Sequence, residues 1–433
     1  MDNTIAATRA PDSTQDRLYR KVAARLVPFL VLCYVVAYLD RVNVGFAKLQ
    51  MLQELGFSDT VYGLGAGIFF IGYFIFEVPS NIILHKVGAK IWIARIMITW
   101  GLISAAMAFV TTPGMFYFLR FLLGAAEAGF FPGIILYLTY WFPNARRGRI
   151  TTFFMTAVPL SGLVGGPLSG WIVETFHGNH GWSGWQWLFV IEGIPSVVIG
   201  LLVLKLLDDR IDRAKWLDDS EKAILIRNIA AEDTDKHDPP IRAALAHPRV
   251  WAMAVIYFSF VMGLYGVGFW MPTLIKGTGV QSALVIGLLT AIPNLFAVIG
   301  MIWIARSSDR RRERRWHLAI PAALGAVGLV FSALWGTNTA LAMLALTIAN
   351  IGICTVLPLF WSLPTALLGG TAAAAGIALI NSVGNLAGFA SPYLVGWLKD
   401  LTGTTNTGLY VLAACLLIGA LIVLAQPKHL VNK

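Results

Sequence analysis

The chain has 433 residues, of which 57% are hydrophobic and only 13% charged, and a mean hydropathy of +0.70. That is more apolar surface than one soluble core can hide, which excludes a soluble globular domain and makes lipid the solvent. A net charge of +10 would suit a nucleic-acid partner, but where the charge lies along the chain argues against one.

The first 25 residues are polar and include five basic ones. The apolar run that follows ends in no small-residue cleavage pattern, so no removable signal peptide is expected. A helix needs roughly 20 apolar residues to cross the hydrocarbon. Twelve such stretches are predicted, at 26–44, 60–82, 96–112, 115–140, 151–173, 188–204, 250–272, 283–304, 317–335, 340–360, 371–397 and 407–426. With the amino terminus placed inside, 28 of the 33 Lys and Arg fall in inward segments, and only Lys48, Lys276 and Lys399 fall in outward loops. This positive-inside bias puts both termini in the cytoplasm and accounts for the charge without nucleic acid. Cys33, Cys354 and Cys415 all lie within spans, where a free thiol packs as a small apolar group, and they suggest neither a disulfide framework nor a metal site.

The fold class expected is all-α: a cytoplasmic segment 1–25, a six-helix half 26–204, a cytoplasmic linker 205–249, a second six-helix half 250–426 and a tail 427–433. The linker is mixed in charge, and Trp216 to Asn228 is predicted as a short amphipathic helix on the membrane surface. Its length fits a solvated tether better than a regulatory domain. Weak repetition relates the halves. The fifth span contains Gly162, Gly166, Pro167, Gly170 and Trp171, and the eleventh contains Gly384, Gly388, Pro392, Gly396 and Trp397. Small residues four apart let helix backbones approach closely, and two parallel six-helix halves are the layout of a rocking transporter with its site at the midplane.

An ionised side chain at the bilayer centre costs at least about 2.5–3.5 kcal/mol, so each one needs a reason. The deep candidates are Asp40, Arg41, Glu77, Arg120 and Glu127, all in the first half; Glu192 is set aside as lying near the outer end of its span. Asp40 and Asn43 share a helix face, with Arg41 turned about 100° from Asp40. Arg120 and Glu127 lie on nearly the same face, roughly 10.5 Å apart along the axis. Both carboxylates are thus expected to look into one cavity, each beside a guanidinium. The bland alternative is a pair of structural ion pairs locking helices together. A guanidinium presents a planar fork that suits a carboxylate ligand, and a carboxylate can carry a proton. For Glu77, beside Pro79, a helix-end or gate contact is expected rather than substrate binding. Tyr265, Trp270, Trp361 and Ser362 are read either as cavity groups of the second half or as interfacial anchors.

The strings YLDRVN at 38–43, FFIGYFIFEVPSN at 69–81, RFLLGAAEAGFFPG at 120–133, GWQWLFVIEGIP at 184–195 and INSVGNLAGFASPYLVGW at 380–397 occur in this order. Together they make the chain resemble the major facilitator superfamily, and within it the anion:cation symporter family of bacterial sugar-acid and carboxylate permeases. The resemblance implies the major facilitator fold of twelve transmembrane helices in the bacterial inner membrane. It implies that Asp40 and Glu127 serve proton coupling, that Arg41 and Arg120 bind the anion or control the acid, and that Tyr38, Tyr73 and Asn385 line the substrate cavity. One departure is His85, where the superfamily's loop motif usually has an aspartate; Asp309 and Arg310 keep the acidic and basic gating pair in the second half.

The function expected is proton-coupled uptake of a small organic anion, a sugar acid or hydroxycarboxylate, by rocker-switch alternating access. The proton is the coupling ion, with no other cofactor and no metal, and a lipid-embedded monomer is expected. The alternative is a proton-linked drug or metabolite antiporter, since Gly166, Pro167 and Gly170 partly match that pattern, although Phe153 and Trp171 replace its outer glycines. No metal-ligand spacing, nucleotide-cradling loop or catalytic triad is found, which argues against an enzyme.

Overall fold

The computed structural model describes residues 13–230, 248–367 and 372–428, and these form helices without a strand. The first half comprises α1 (Ser13–Val42), α2 (Val44–Leu55), α3 (Asp59–Val87), α4 (Ala89–Ala106), α5 (Pro113–Glu127), α6 (Phe130–Thr139), α7 (Asn144–Met155), α8 (Ala157–Thr175) and α9 (Gly184–Leu206). A short α10 (Asp219–Ala230) follows. The second half comprises α11 (Pro248–Gly277), α12 (Ala283–Arg311), α13 (Arg315–Leu334), α14 (Thr339–Phe360), α15 (Ser362–Leu367), α16 (Ala372–Thr402) and α17 (Asn406–Ala425). Among the described residues eleven stretches are long and apolar enough to cross a membrane; α16, 31 residues long, makes the twelfth crossing.

The first crossing runs from Gln15 to Leu55 rather than over 26–44. A hydropathy window sees only the part of a helix that lipid covers, so it misses polar turns that continue at either end. Lys48, expected in an outward loop, therefore sits on α2 and is buried. The fourth crossing is interrupted between α5 and α6, where Gly129 takes φ +84° and a Cβ would stand 2.3 Å from Ser80 Oγ. Glu127 is the last residue before this break.

The described part of 205–249 is not a free tether. Trp216 stacks on Trp141 with ring centroids 5.7 Å apart, Lys21 pairs with Glu221 at 2.7 Å, and the Asn228 amide donates to Tyr19 Oη at 3.2 Å. All three contacts dock the segment onto the first half. Residues 1–12 of the amino-terminal segment, 231–247 of the linker and 429–433 of the tail lie outside the described residues.

The halves meet along two seams, α3 against α16 and α8 against α12, both at the end of the bundle away from the termini. Each seam is made by glycines that bring backbone onto backbone. A Cβ at Gly63 would lie 2.4 Å from Pro392 O, and one at Gly396 2.3 Å from Asp59 O. On the other seam, a Cβ at Gly287 would lie 2.2 Å from Gly166 O, and one at Gly170 2.3 Å from Ala283 O.

A carboxylate from one half then caps a helix of the other at each seam. Asp400 accepts from the Asp59 and Thr60 amides at 3.2 and 2.7 Å, and Glu174 accepts from the Leu284 amide at 2.9 Å and from Ser282 Oγ at 2.5 Å. Both acids stand three residues after a Gly-Trp pair, 170–171 and 396–397, so the two latches are one motif used twice. Negative charge at a helix amino terminus meets unpaired N–H groups and the positive end of the helix dipole.

Overpacking a tight contact typically costs about 1–3 kcal/mol. Gly63→Ala and Gly287→Ala are each expected to destabilise the fold by an amount in that range and so to lower the thermal unfolding midpoint, whereas Gly114→Ala, where nothing lies within 4 Å, is expected to be neutral. Scanning calorimetry or dye-based melting of the purified variants checks this.

Candidate functional site

Between the halves lies a cavity walled by Tyr34, Tyr38 and Arg41 of α1, Phe70 and Tyr73 of α3, Tyr257 and Tyr265 of α11, Trp361, and Asn381 and Asn385 of α16. Of the residues expected to bind substrate, Tyr38, Arg41, Tyr73 and Asn385 are thus brought together. Arg41 is the single basic group in this wall, and its guanidinium spans the two halves. Nη1 donates to Tyr265 Oη of the second half at 2.8 Å, and Nη2 pairs with Glu127 of the first. The same guanidinium lies over the rings of Tyr38, Phe69 and Tyr73, 5.4 to 5.8 Å from their centroids. Its Nε has no hydrogen-bond partner, which leaves one buried donor for a ligand.

The ion pairs differ from those expected. Asp40 does not pair with Arg41 and is absent from the cavity wall. It points into the first half, where Trp100 Nε1 donates at 3.0 Å, Ser104 Oγ at 3.1 Å and Ser196 Oγ also donates. Adjacent residues on a helix diverge by about 100°, so when packing turns Arg41 to the interface it turns Asp40 away from it.

Arg120 likewise does not hold Glu127 and is not in the wall of the cavity. It is fully buried, donates from Nε to Gly65 O at 3.1 Å and from Nη2 to Ala66 O at 3.3 Å, and faces Phe69 and Phe269. It therefore braces α5 against α3. Glu127 instead reaches Arg41, because α5 ends at that residue and its carboxyl is free to turn toward α1.

Glu77 meets the second half, accepting from Asn381 Nδ2 at 3.2 Å, as a gate contact would. Asp309 pairs with Arg314 at 2.6 Å rather than with Arg310, which is exposed, so this acid acts within the second half. At the loop where His85 replaces the usual aspartate, Asp209 supplies a carboxylate and accepts from the Lys90 amide at 2.7 Å.

Three features escaped sequence reasoning. Glu192 is 2% exposed and accepts from Ser169 Oγ at 2.6 Å, deep in the first half. Ser196, one turn further along α9, serves Asp40, so both buried acids lie against the same face of α9. Lys48 pairs with Asp59 at 2.7 Å and lies 3.3 Å from the centroid of the Trp270 ring, while Lys399 of the second half also pairs with Asp59, at 2.9 Å. Trp270 is thus part of the seam and not an interfacial anchor. Tyr34 and Tyr257 join the cavity wall without any motif to mark them, and Asn381 joins it from within the 380–397 string, where it was not singled out. Of these, Glu192 alone left a signal, a carboxylate in an apolar span.

Arg120→Lys keeps the charge but removes the fork that reaches two carbonyls at once. The expected outcome is a lower melting temperature with the Arg41 cavity unaltered, checked by comparing the quenching of intrinsic tryptophan fluorescence by a cavity ligand in the variants that fold.

The Major Facilitator Superfamily family model matches residues 30–392. The "Putative metabolite transport protein NicT" of Pseudomonas putida is 52% identical over 418 residues, 96% of each chain. A "Putative tartrate transporter" of Agrobacterium vitis is 53% identical over 416 residues, 95% of this chain and 92% of the relative. The "Quinolone resistance transporter" of Acinetobacter baumannii is 44% identical over 407 residues, 93% of each. Among solved structures, a bacterial homologue of the human lysosomal transporter Spinster superposes with a TM-score of 0.72 at 15% identity, covering 94% of this chain and 96% of that one, which establishes a common fold. The chain therefore belongs to the major facilitator superfamily, and is a multi-pass membrane transporter of its anion:cation symporter type.

Proposed function

We propose that the protein carries a small organic anion, a sugar acid or hydroxycarboxylate such as tartrate, across the bacterial inner membrane together with a proton, by rocking its two halves about the Arg41 cavity. The observation that carries the reading is the Arg41 guanidinium, buried in the cavity wall and shared between Glu127 of one half and Tyr265 of the other. A guanidinium fork prefers a carboxylate partner. An arriving anion competes with Glu127 for that fork. A buried carboxylate stripped of its cation costs several kcal/mol, whereas a carboxylic acid costs little. Glu127 then takes up a proton as the anion binds, and the two are loaded together.

Asp40 and Glu192, buried among hydroxyl groups and an indole, extend the set of groups able to hold the proton. The distribution of basic residues supports cytoplasmic termini, so the latched seams face outward and the cavity is reached from the cytoplasm. Asn385 of the second half is assigned to the substrate's neutral groups.

A second reading, proton-linked drug export, is favoured by the similarity to the quinolone resistance transporter. The two differ in the direction of coupled flux. In proteoliposomes, an inward proton gradient is expected to drive accumulation of tartrate or a related hydroxy acid, with no proton-driven release of preloaded fluoroquinolone; the reverse pattern would establish export.

Arg41→Lys is expected to weaken anion binding at least about tenfold, because a point-like ammonium cannot reproduce the planar fork of the guanidinium. Glu127→Gln and Asp40→Asn are expected to abolish gradient-driven accumulation while leaving substrate counterflow, which needs no net proton movement. Full accumulation by both amide variants would remove these acids from the coupling.

A further inference from the structure

A second cavity adjoins the first on the side of the seams and shares Tyr38, Val158 and Leu264 with it. Among the described residues no Lys, Arg, Asp or Glu lines it, and its polar groups are Asn43, Ser161, Ser169, Thr290, Asn294 and Asn350. A free volume of about 60 Å³ among so many polar groups is room enough for water.

Glu192 stands directly behind this wall. Two of the wall's own groups hold it: Ser169 Oγ of α8 donates to Oε1 at 2.6 Å, and the Asn43 amide hydrogen-bonds the same carboxyl. Both partners suit either protonation state, since a hydroxyl and an amide can each donate to a carboxylate or accept from a carboxylic acid.

Asn43 keeps helical dihedrals, φ −57° and ψ −27°, and its N–H donates to Leu39 O at 2.9 Å, so it prolongs the Asp40 face of α1. Asp40 and Asn43 then meet Ser196 and Glu192 of α9 rung by rung, Asp40 on Ser196 and Asn43 on Glu192. With cytoplasmic termini, α1 runs outward and α9 runs back, so Glu192 lies one turn, roughly 5 Å, nearer the outside than Asp40.

The surroundings of the two acids hold no neutralising cation among the described residues. From α1 Glu192 faces Asp40 and Asn43, from α8 Ser169, and from α4 the uncharged Gly101 and Ala105, which back its neighbour Gly193. The polar side chains of α2 reach α9 about two turns away, where Gln50 and Glu54 accept from the Trp185 amide and indole. Asp40 is the charged group that acts on Glu192, and Glu127 acts on Asp40. A carboxylate buried without a cation is costly, whereas a carboxylic acid is not. Chains of such groups inside a membrane serve as proton relays.

We propose that Glu192 is the outward port of the proton path: a proton enters by the second cavity, passes Ser169 and Asn43 to Glu192, and moves one turn inward to Asp40. The assignment rests on the proton-coupled reading given above and deepens it by naming the entrance. Glu192 releases the proton that Asp40 takes up, and Ser196, on Asp40 and one turn from Glu192, stands beside the transfer. The anion enters at Arg41 on one side of α1 and the proton on another, so the two ligands do not compete for one entrance.

The test uses the full-length protein in proteoliposomes with tartrate as the probe. Initial uptake is measured as the outside pH is lowered at constant inside pH, beside counterflow at equal pH, for wild type, Glu192→Gln, Glu192→Asp, Ser169→Ala and Asp40→Asn. The infrared carboxylic-acid band and the melting temperature are recorded for each protein without ligand. Glu192→Gln keeps the size and hydrogen bonding of the side chain, and is expected to lose at least about tenfold in acid-driven uptake but less than about threefold in counterflow. It is also expected to lose carboxylic-acid absorption. Glu192→Asp is expected to recover part of the driven rate. Ser169→Ala is expected to slow driven uptake about threefold with the absorption retained, and decides the matter if Glu192→Gln does not fold.

A Glu192→Gln protein whose uptake follows outside pH as wild type does overturns the port, while leaving Asp40 and Glu127 in the coupling. Equal losses in driven uptake and counterflow with a lowered melting temperature also overturn it, in favour of a packing role. Accumulation driven by a sodium gradient at equal pH, and abolished by Glu192→Gln, overturns it in favour of a cation site. If outside acid does not accelerate uptake by wild type, the proton-coupled reading fails, and the port fails with it.

Discussion

The structure depends on backbone touching backbone between its halves. Lipid tails are as apolar as leucine, so hydrophobic burial does little to hold one transmembrane helix against another, and close packing must do it instead. Glycines at 63 and 396, and at 166, 170 and 287, supply that packing where α3 meets α16 and α8 meets α12. The two capping carboxylates, Asp400 and Glu174, sit at the ends of these seams and make them reversible: each is a polar contact at an exposed or partly exposed helix terminus that water can replace. A joint built from van der Waals contact and solvent-exchangeable caps can close firmly and still open. The Lys48, Asp59 and Lys399 cluster against Trp270 belongs to the same end and ties the charge of the two halves together.

With the halves joined at one end, everything charged near the midplane must be satisfied inside the protein. The first half solves this in two ways. Arg41 and Glu127 neutralise each other beside the cavity, and Arg120 gives its Nε and Nη2 donors to helix carbonyls. Asp40 and Glu192 are instead surrounded by hydroxyl and indole donors. The first arrangement can be dismantled by an anion, since a ligand carboxylate can stand where Glu127 stands. The second offers no such opening, and suits groups whose partner is a proton. The second half brings amides and aromatic rings to the interface, with Asn381 already on Glu77 and Tyr265 already on Arg41. Those two contacts link the state of the ion pair to the position of the opposite half.

Hydropathy, the arrangement of basic residues and the glycine pattern were enough to indicate twelve crossings in two related halves and deep charges confined to the first, while the resemblance carried by the quoted strings implied the cavity residues Tyr38, Arg41, Tyr73 and Asn385. These features are one-dimensional: they follow from what each stretch of chain can tolerate in lipid, or from strings of residues that stand together. What the tertiary structure decided was angular phase and pairing. The crossings are apolar on all sides, so periodicity does not reveal which face a helix turns inward, and a rotation of 100° separates an Asp40 that looks at Arg41 from one that looks at Ser196. The partner of Glu127, the retreat of Arg120 to the backbone of α3, and the burial of Lys48 and Glu192 all depend on where helix ends fall and on which helix packs alongside. Those are properties of the assembled bundle, because a side chain's neighbour across an interface is set by packing between segments far apart in sequence.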